Sequence, residues 1–233
     1  MEVLKKGSKG NDVASLQKML TKVGYPLVAD GDFGIKTHEA VKYFQANNGL
    51  KCDCLVGQKT LEVLAGICSR QNAGLANIVK KSSRPITRII VHCTATVEGK
   101  DYSVMDVTRM HMVGRKWPHV GYHYVVGIDG TIRPACDVNI EGIHVAGYNK
   151  NSIGVVYAGG LAKDGAPKDT RNQQQKDSLM SIVKALKELY PTAKVMGHRD
   201  LSPDRNHDGK ITPDEFLKAC PCFDAITEYS HLV

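Results

Sequence analysis

The sequence lacks the features that mark several common classes of protein. Its 233 residues contain no apolar run of the roughly 20 residues that a membrane-spanning helix needs. The first residues, MEVLKKGSKGNDV, lack the apolar core of a secretory signal peptide. We therefore expect a protein that is made in the cytoplasm without a signal peptide and that does not insert into a membrane.

The sequence also lacks a disulfide pattern and the features of a nucleic-acid binder. The seven cysteines are an odd number, and a chain of this length does not need disulfide bonds to be stable. A metal site or free thiols therefore fit better than a disulfide framework. Residues 69–90 hold five basic residues and no acidic one, but aromatic or Arg-rich readout elements are missing. We interpret residues 69–86 as a basic, solvated linker. Weak attraction to an anionic polymer such as a cell wall is the alternative.

Residues 1–68 contain signals for three helices. The first, NDVASLQKML, places Val13, Leu16 and Leu20 on one face. A turn at DGDFG precedes the second helix, for which Thr37 is the expected N-cap. VGQKTLEVL predicts a short third helix. The pattern predicts a small N-terminal three-helix domain.

From residue 87 onward, strand and helix patterns alternate. The runs TRIIVHC, NSIGVVY and AKVMG predict buried strands, and GYHYVVGIDGTIRPA predicts a hairpin with Asp129-Gly130 as its two-residue turn. SVMDVTRMHMVGR and NQQQKDSLMSIVKALKELY have helical spacing, and Pro191 ends the second helix. Residues 87–233 are therefore expected to form an α/β domain with a mixed central sheet flanked by helices.

Soft metal ligands follow two of these strands and recur near the end of the chain. His92 follows RIIV, His198 follows KVM, and both Cys220 and Cys222 lie in the segment ACPC. Two histidines and a cysteine would leave the fourth tetrahedral position of a zinc ion open to water, as in catalytic zinc sites. The spacings match no short zinc motif, so a structural role for each histidine stays open, as does the choice between the two cysteines.

Hard oxygen ligands lie between these soft ligands. Residues 204–215, DRNHDGKITPDE, match the spacing of a calcium-binding EF-hand loop, with Gly209 at the sharp turn. The expected calcium ligands are Asp204, Asn206, Asp208, the Lys210 carbonyl, Thr212 and Glu215. LSP replaces the usual entering helix, and we expect an exiting helix at PDEFLKAC. An acidic surface loop is the alternative interpretation.

Short motifs cover nearly the whole of residues 1–68. They are Gly7, Gly10, Val13, Leu16, Gln17, Asp30, Gly31, Asp32, Phe33, Gly34, Thr37, Ala40, Val41, Phe44, Gln45, Gly49, Leu50, Val56, Gly57, Thr60 and Leu61. With these residues the unit resembles the peptidoglycan-binding domain common at the ends of cell-wall hydrolases. The resemblance implies that this domain binds peptidoglycan. Cys52 and Cys54 depart from the pattern, and we assign them no role.

Five further motifs follow one another in the rest of the chain. They are VHCTAT at 91–96, GYHYVVGIDGTI at 121–132, HVAGYNKNSIGV at 144–155, GHRD at 197–200 and KACPCFD at 218–224. In this order they resemble zinc-dependent N-acetylmuramoyl-L-alanine amidases, a family that includes peptidoglycan-recognition proteins and amidase-type phage lysozymes. The implied site residues are the zinc ligands His92, His198 and Cys220, catalytic Tyr122 and Lys218, and substrate-binding His144 and Asn149.

The resemblance also implies a function. The family motif has its cysteine ligand directly after Lys-Ala, which favours Cys220 over Cys222. The implied activity is cleavage of the amide between N-acetylmuramic acid and L-alanine, by a phage or prophage endolysin that reaches the wall after release. We expect a monomer. The alternative is a recognition protein that binds peptidoglycan without cutting it, but such proteins lose the ligand that Cys220 provides.

Overall fold

The computed structural model describes residues 2–72 and 74–232. The elements are α1 (Asn11–Lys22), α2 (Ile35–Asn47), α3 (Gln58–Asn72), α4 (Leu75–Ile78), β1 (Arg88–Cys93), β2 (Thr96–Val97), α5 (Val104–Arg109), β3 (Tyr124–Val126), β4 (Ile132–Pro134), β5 (Ser152–Tyr157), β6 (Gly160–Leu161), α6 (Gln173–Leu189), β7 (Lys194–Gly197) and α7 (Ala225–Glu228). Within the described ranges, no helix is both long enough and apolar enough to cross a bilayer.

The N-terminal unit consists of three helices, as the sequence predicts. The expected face of α1 is buried, and Leu20 is completely covered. The N-cap prediction for Thr37 is wrong, because α2 begins at Ile35 directly after the extended residue Gly34. Thr37 instead lies inside the helix, where its Oγ1 accepts a hydrogen bond of 3.0 Å from Gln17 Nε2. This buried bond ties α1 to α2.

The second unit is built on a five-stranded sheet of order β4-β3-β5-β1-β7. The pairs β3–β5, β1–β5 and β1–β7 are parallel, whereas β4 pairs antiparallel with β3 at the edge. Strand β5 is buried along its whole length, and α6 packs its apolar stripe against the same core as β1 and β5. The predicted fold class, a mixed α/β sheet flanked by helices, is confirmed.

Two details of this unit differ from the prediction, although the expected hairpin and the expected helix both form. The β3–β4 connection spans residues 127–131 and is closed by a hydrogen bond from Gly127 N to Thr131 O, so it is longer than the two-residue turn expected at Asp129-Gly130. The Asp129 carboxylate stabilises the longer loop by accepting from Thr131 N at 2.9 Å. The helix expected at SVMDVTRMHMVGR ends as α5, and Met110–Gly114 continue it as one π-helical turn.

The two units share one apolar core rather than meeting through a flexible connection. Their common cluster includes Leu20, Phe44, Val104, Val107 and Val120. Asn47 is fully buried between the units. Its Nδ2 donates to Tyr25 Oη at 2.8 Å and to Thr108 Oγ1 at 2.9 Å, and its Oδ1 accepts from Val120 N at 3.0 Å. The N-terminal helices are therefore fixed against the α/β unit.

The described parts of residues 69–86 make specific contacts that a solvated linker would lack. Helix α3 continues to Asn72, and α4 covers Leu75–Ile78. Arg84 donates to the carbonyls of Val138 at 2.9 Å, Lys150 at 3.1 Å and Ser152 at 3.2 Å. Because these carbonyls lie on loops and a strand of the α/β unit, Arg84 fastens the chain to the sheet. Arg84 thus has a structural role that the composition of this stretch did not indicate.

Candidate active site

The sheet register brings the two predicted histidine ligands together. Strands β1 and β7 are adjacent and parallel, with Val91 opposite Gly197, so His92 and His198 leave the sheet side by side. Their ring centroids are 5.0 Å apart. His92 is fully buried and His198 is half-buried. Both lie at the carboxyl end of parallel strands, which is where α/β proteins usually place their sites.

Cys220 completes the group from a third segment of the chain. The ligand atoms of His92, His198 and Cys220 all lie within 4.8 Å of one another. Cys220 Sγ is 3.7 Å from His92 Nδ1 and accepts a hydrogen bond from Cys93 N at 3.3 Å. Over residues 2–72 and 74–232, no other set of three His, Cys, Asp or Glu side chains is so closely grouped.

The turn that carries Cys220 also settles the direction of Cys222. The Cys220 carbonyl accepts from Arg199 N at 2.8 Å, and the Pro221 carbonyl accepts from the Tyr157 hydroxyl at 2.7 Å. Cys222 has a φ of 71°, and its thiol donates to Gly160 O at 3.2 Å. The turn therefore directs the Cys222 sulfur away from the histidines, and the geometry favours Cys220 as the third ligand.

The electrostatics of the site favour neutral imidazoles. Burial, and then the charges of His144 and His198, hold the pKa of His92 well below its usual range. Burial, followed by the positive charge of Lys218, lowers the pKa of His198 to about 4. Both histidines are therefore unprotonated at neutral pH, which is the form that binds a metal ion.

Tyr122 and Lys218 flank this group. The Tyr122 ring lies 5.0 Å from the His92 ring, centroid to centroid, and 5.2 Å from that of His111. Burial, and then the charge of Cys220, raise the pKa of the Tyr122 phenol, so its hydroxyl keeps its proton at neutral pH. Lys218 is exposed, and its charge acts on both histidines. The edge of the sheet thus holds a hydroxyl donor and a cation beside the three candidate ligands.

The predicted substrate-binding role of His144 and Asn149 stays a prediction, and the structure shows what each of them contacts. His144 is only 7% exposed, and its Nδ1 lies 3.1 Å from His92 Nε2. Asn149 Oδ1 accepts from the backbone N–H groups of His144 and Val145, so it holds a turn. Sequence reasoning missed Ser152, which lies 3.3 Å from His144 Nε2. A polar residue at the start of a buried strand needs a partner, which was the available signal.

The 204–215 loop is organised around the carboxylate of Glu215. This buried side chain accepts hydrogen bonds from Arg205 N at 2.7 Å, Asn206 N at 3.3 Å and Thr212 N at 2.9 Å. The bonds from Thr212 and then Arg205 lower the pKa of Glu215 below its ordinary value. The residue expected to hold calcium with two oxygens is therefore used to close the loop backbone.

The predicted exiting helix is wrong. A single 3₁₀ turn, Pro213–Glu215, ends the loop, and Phe216 is extended. A capping box between Thr212 and Glu215 closes this turn, and the next free N–H, that of Leu217, donates to Ser202 Oγ at 3.0 Å. Because these contacts satisfy the backbone locally, the helix does not continue toward the cysteines.

Two protein-family profiles match the chain. One, a putative peptidoglycan binding domain, covers residues 9–64, and the other, N-acetylmuramoyl-L-alanine amidase, covers residues 82–214. The second match ends before Cys220, so the grouping of this side chain with the two histidines is a finding of the geometry.

Among the relatives are endolysins of bacteriophages. The endolysin of Enterobacteria phage K11 is 32% identical over 150 residues, which cover 64% of this chain and 89% of that protein. The endolysin of Escherichia phage T7 is 31% identical over 150 residues, with the same two coverages of 64% and 89%. The solved structure of the Ph2119 endolysin from a Thermus scotoductus bacteriophage has 22% identity and a TM-score of 0.48, covering 66% of this chain and 88% of that one.

Proposed function

Since this chain belongs to the N-acetylmuramoyl-L-alanine amidase family, we propose that it is an endolysin that hydrolyses the amide between N-acetylmuramic acid and L-alanine in peptidoglycan. The observation that carries the proposal is the meeting of His92, His198 and Cys220 within 4.8 Å at the carboxyl edge of the sheet. A protein that only binds peptidoglycan does not need this group of three ligands.

The three side chains fit a zinc ion. Two neutral imidazoles and one thiolate form a donor set that zinc accepts, and three protein ligands leave one position of a tetrahedron open. We therefore propose that His92, His198 and Cys220 hold zinc. A bound zinc ion supplies Lewis acidity at the edge of the sheet, where the scissile carbonyl would lie.

Tyr122 and Lys218 supply the remaining chemistry in this proposal. Amide hydrolysis passes through a tetrahedral state in which the carbonyl oxygen carries negative charge. The Lys218 ammonium stabilises that charge, and the protonated Tyr122 phenol donates a hydrogen bond to it. Either group can pass a proton to the leaving amine. The exposure of Lys218 supports this role, because an incoming substrate can reach its charge.

Digestion of purified sacculi tests the activity. We expect the zinc-loaded protein to release stem peptides with a free L-alanine amino group and to leave the glycan strands intact, as measured by mass spectrometry. The Cys220→Ser variant is the matched control and should release none. Glycan fragments with peptides still attached would point to a glycosidase, and sedimentation with sacculi without any product would favour a recognition protein.

We propose that the N-terminal unit anchors the chain on peptidoglycan. Its surface groove exposes 77% of Val28 and 73% of Ile35, and the matched profile supports the ligand class. The test uses the full chain as Cys220→Ser, because the two units share a core. Val28→Glu with Ile35→Glu should reduce sedimentation with sacculi. Val97→Glu, at a 43% exposed site of the α/β unit, is the control and should not. Equal sedimentation of all three proteins contradicts the anchor.

Calcium binding by the 204–215 loop stays a prediction, supported by one atom and opposed by another. Asp204 Oδ1 is buried, and within the described residues no hydrogen-bond donor satisfies it, so a cation would be a suitable partner. Glu215 opposes the six-ligand arrangement, because bidentate binding would compete with its hydrogen bonds to three backbone N–H groups. We therefore propose only weak calcium binding at this loop.

A further inference from the structure

We infer that His144 is a positioning residue for the candidate zinc ligand His92. In this role it fixes which nitrogen of the His92 ring carries the proton and which one faces the metal position. The inference rests on the proposed zinc site. It replaces the substrate contact expected of His144 with a role behind the ligand group, and it adds Ser152 to the residues on which that group depends.

A buried row of hydrogen bonds determines the proton positions. The Ser152 hydroxyl has one proton, which it donates to the Tyr148 carbonyl at 2.8 Å. Ser152 Oγ must then accept at its 3.3 Å contact with His144 Nε2, so the Nε2 of His144 carries the proton. A neutral imidazole has one such proton, and His144 Nδ1 is therefore an acceptor.

The row of hydrogen bonds continues to His92. Its Nε2 lies 3.1 Å from His144 Nδ1, so Nε2 must be the nitrogen that donates. The Nδ1 of His92 is then left with a free lone pair, and this atom faces Cys220 Sγ at 3.7 Å. The backbone carbonyl of Tyr148, which can only accept, thus sets the direction of every bond in the row up to the metal position. Metal-binding histidines commonly need such a partner on their second nitrogen.

The surroundings of the row keep it fixed. His92 and Ser152 are completely buried, and His144 is 7% exposed, so water cannot readily replace one member. Two glycines make room for the His144 ring: a Cβ on Gly142 would lie 2.6 Å from the ring, and one on Gly154 would lie 2.9 Å from it. Both distances are shorter than real Cβ contacts allow. The ring is therefore confined between two backbone segments that accept no larger residue.

Loss of the His144 acceptor should release His92 in two ways. Its ring can rotate, and its proton can move to Nδ1, which is then unable to bind a metal ion. Replacement of such supporting partners typically weakens metal affinity about 10- to 100-fold. The effect should appear in zinc binding itself, and in activity only as a consequence.

The test measures the zinc dissociation constant of the intact chain by competition with a chelator. We expect His144→Leu to weaken binding about 10- to 100-fold. His144→Asn, which places a carbonyl oxygen near the position of Nδ1, should restore most of the affinity. His123→Leu is the matched control: it also removes a buried histidine, whose ring centroid lies 5.8 Å from that of His144, but it leaves the row intact. It should keep wild-type zinc affinity.

A second variant covers the case in which His144→Leu fails to fold. Ser152→Ala removes the acceptor of His144 Nε2 together with the donor to the Tyr148 carbonyl, and it should weaken zinc binding several-fold with a wild-type circular dichroism spectrum. Wild-type zinc affinity in both His144→Leu and Ser152→Ala overturns the inference, as does an equal loss in His123→Leu. If the wild-type protein binds no zinc, the proposed zinc site itself fails, and that outcome is distinct from the others.

Discussion

The group of His92, His198 and Cys220 and the loop at 204–215 offer a direct comparison of two candidate metal sites. The three soft ligands come from separate segments, yet their ligand atoms lie within 4.8 Å of one another. The oxygen-bearing residues of the loop are neighbours in sequence, yet Glu215 binds backbone N–H groups. The register of the strands fixes the positions of the two histidines in the first group. In the loop, the Glu215 carboxylate binds backbone N–H groups and is not free for a cation. Closeness in sequence is therefore weaker evidence for a metal site than convergence in the fold.

The largest expected effect is the loss of the soft-ligand group. Cys220→Ser should remove bound zinc and reduce activity on sacculi to background, because the third ligand is lost. Cys222→Ser is the matched variant and should keep most of both, since its thiol is directed to Gly160 O. Elemental analysis and product release measure the two effects. The reverse pattern would assign the third ligand to Cys222.

A smaller effect is expected from the groups beside the ligands. Lys218→Ala and Tyr122→Phe should each lower kcat about 10²- to 10³-fold, because each removes a donor to the transition state. Zinc content should stay at the wild-type level, and KM should change less than kcat. Steady-state kinetics on soluble peptidoglycan fragments give both parameters. Wild-type turnover in both variants, with zinc bound, would remove their catalytic assignment.

Acid should destabilise the protein through the buried histidines His111 and His123 in one pH window and through the 204–215 loop in another. Burial lowers the pKa of His111 to about 4 and that of His123 to about 3, whereas both protonate near 6.5 when unfolded. The unfolded chain thus binds more protons between these values, and stability falls as pH falls below 6.5, by about 1.4 kcal/mol per pH unit for each histidine. His111→Gln or His123→Asn should each reduce this slope in urea unfolding curves.

The loop should respond only in stronger acid. The folded-state pKa of Glu215 is lowered, so its contribution is present above its ordinary value of 4.5 and is lost as pH falls through the folded-state pKa. Glu215→Gln should therefore destabilise the protein at pH 7 and leave the slope between pH 6.5 and 5 unchanged. A changed slope in that window would show that the loop and the histidines titrate together.

The smallest effect concerns calcium. Excess calcium should raise the melting temperature of the zinc-loaded protein slightly, because a ligand that prefers the folded state stabilises it. Asp204→Ala, which removes the unsatisfied oxygen, should abolish the shift, and Asp164→Ala in another exposed loop should not. An absent shift, or one that persists in Asp204→Ala, reduces the loop to a surface turn.

The sequence predicted the features that follow from the pattern of strands along the chain. The runs around His92 and His198 predicted two strands of a mixed sheet, and the structure shows that these strands are parallel neighbours, which brings the two histidines to one edge. The turn of Cys220 could be assigned only through the family resemblance, because its position depends on contacts with Arg199 and Tyr157. The role of Glu215 was not predictable, since the same carboxylate can bind a cation or close a loop.

Long-range packing accounts for the rest of what the sequence did not predict. Asn47 and Arg84 have no motif of their own, yet one joins the two units and the other ties the supposed linker to the sheet. His144 lies beside the ligand group, and the direction of its ring depends on the buried Ser152 and on two glycines. Such contacts form between segments that are distant in sequence, and no local pattern encodes them.

X-ray absorption at the zinc edge of the purified, intact protein tests the central claim most directly. We predict one zinc ion per chain with one sulfur neighbour at about 2.3 Å and two nitrogen neighbours at about 2.0–2.1 Å. Cys220→Ser should lose the bound zinc and with it the absorption signal, whereas Cys222→Ser and Glu215→Gln should leave the sulfur neighbour unchanged. A zinc ion surrounded only by oxygen and nitrogen in the wild-type protein, or one with two sulfur neighbours, would contradict the assignment to His92, His198 and Cys220.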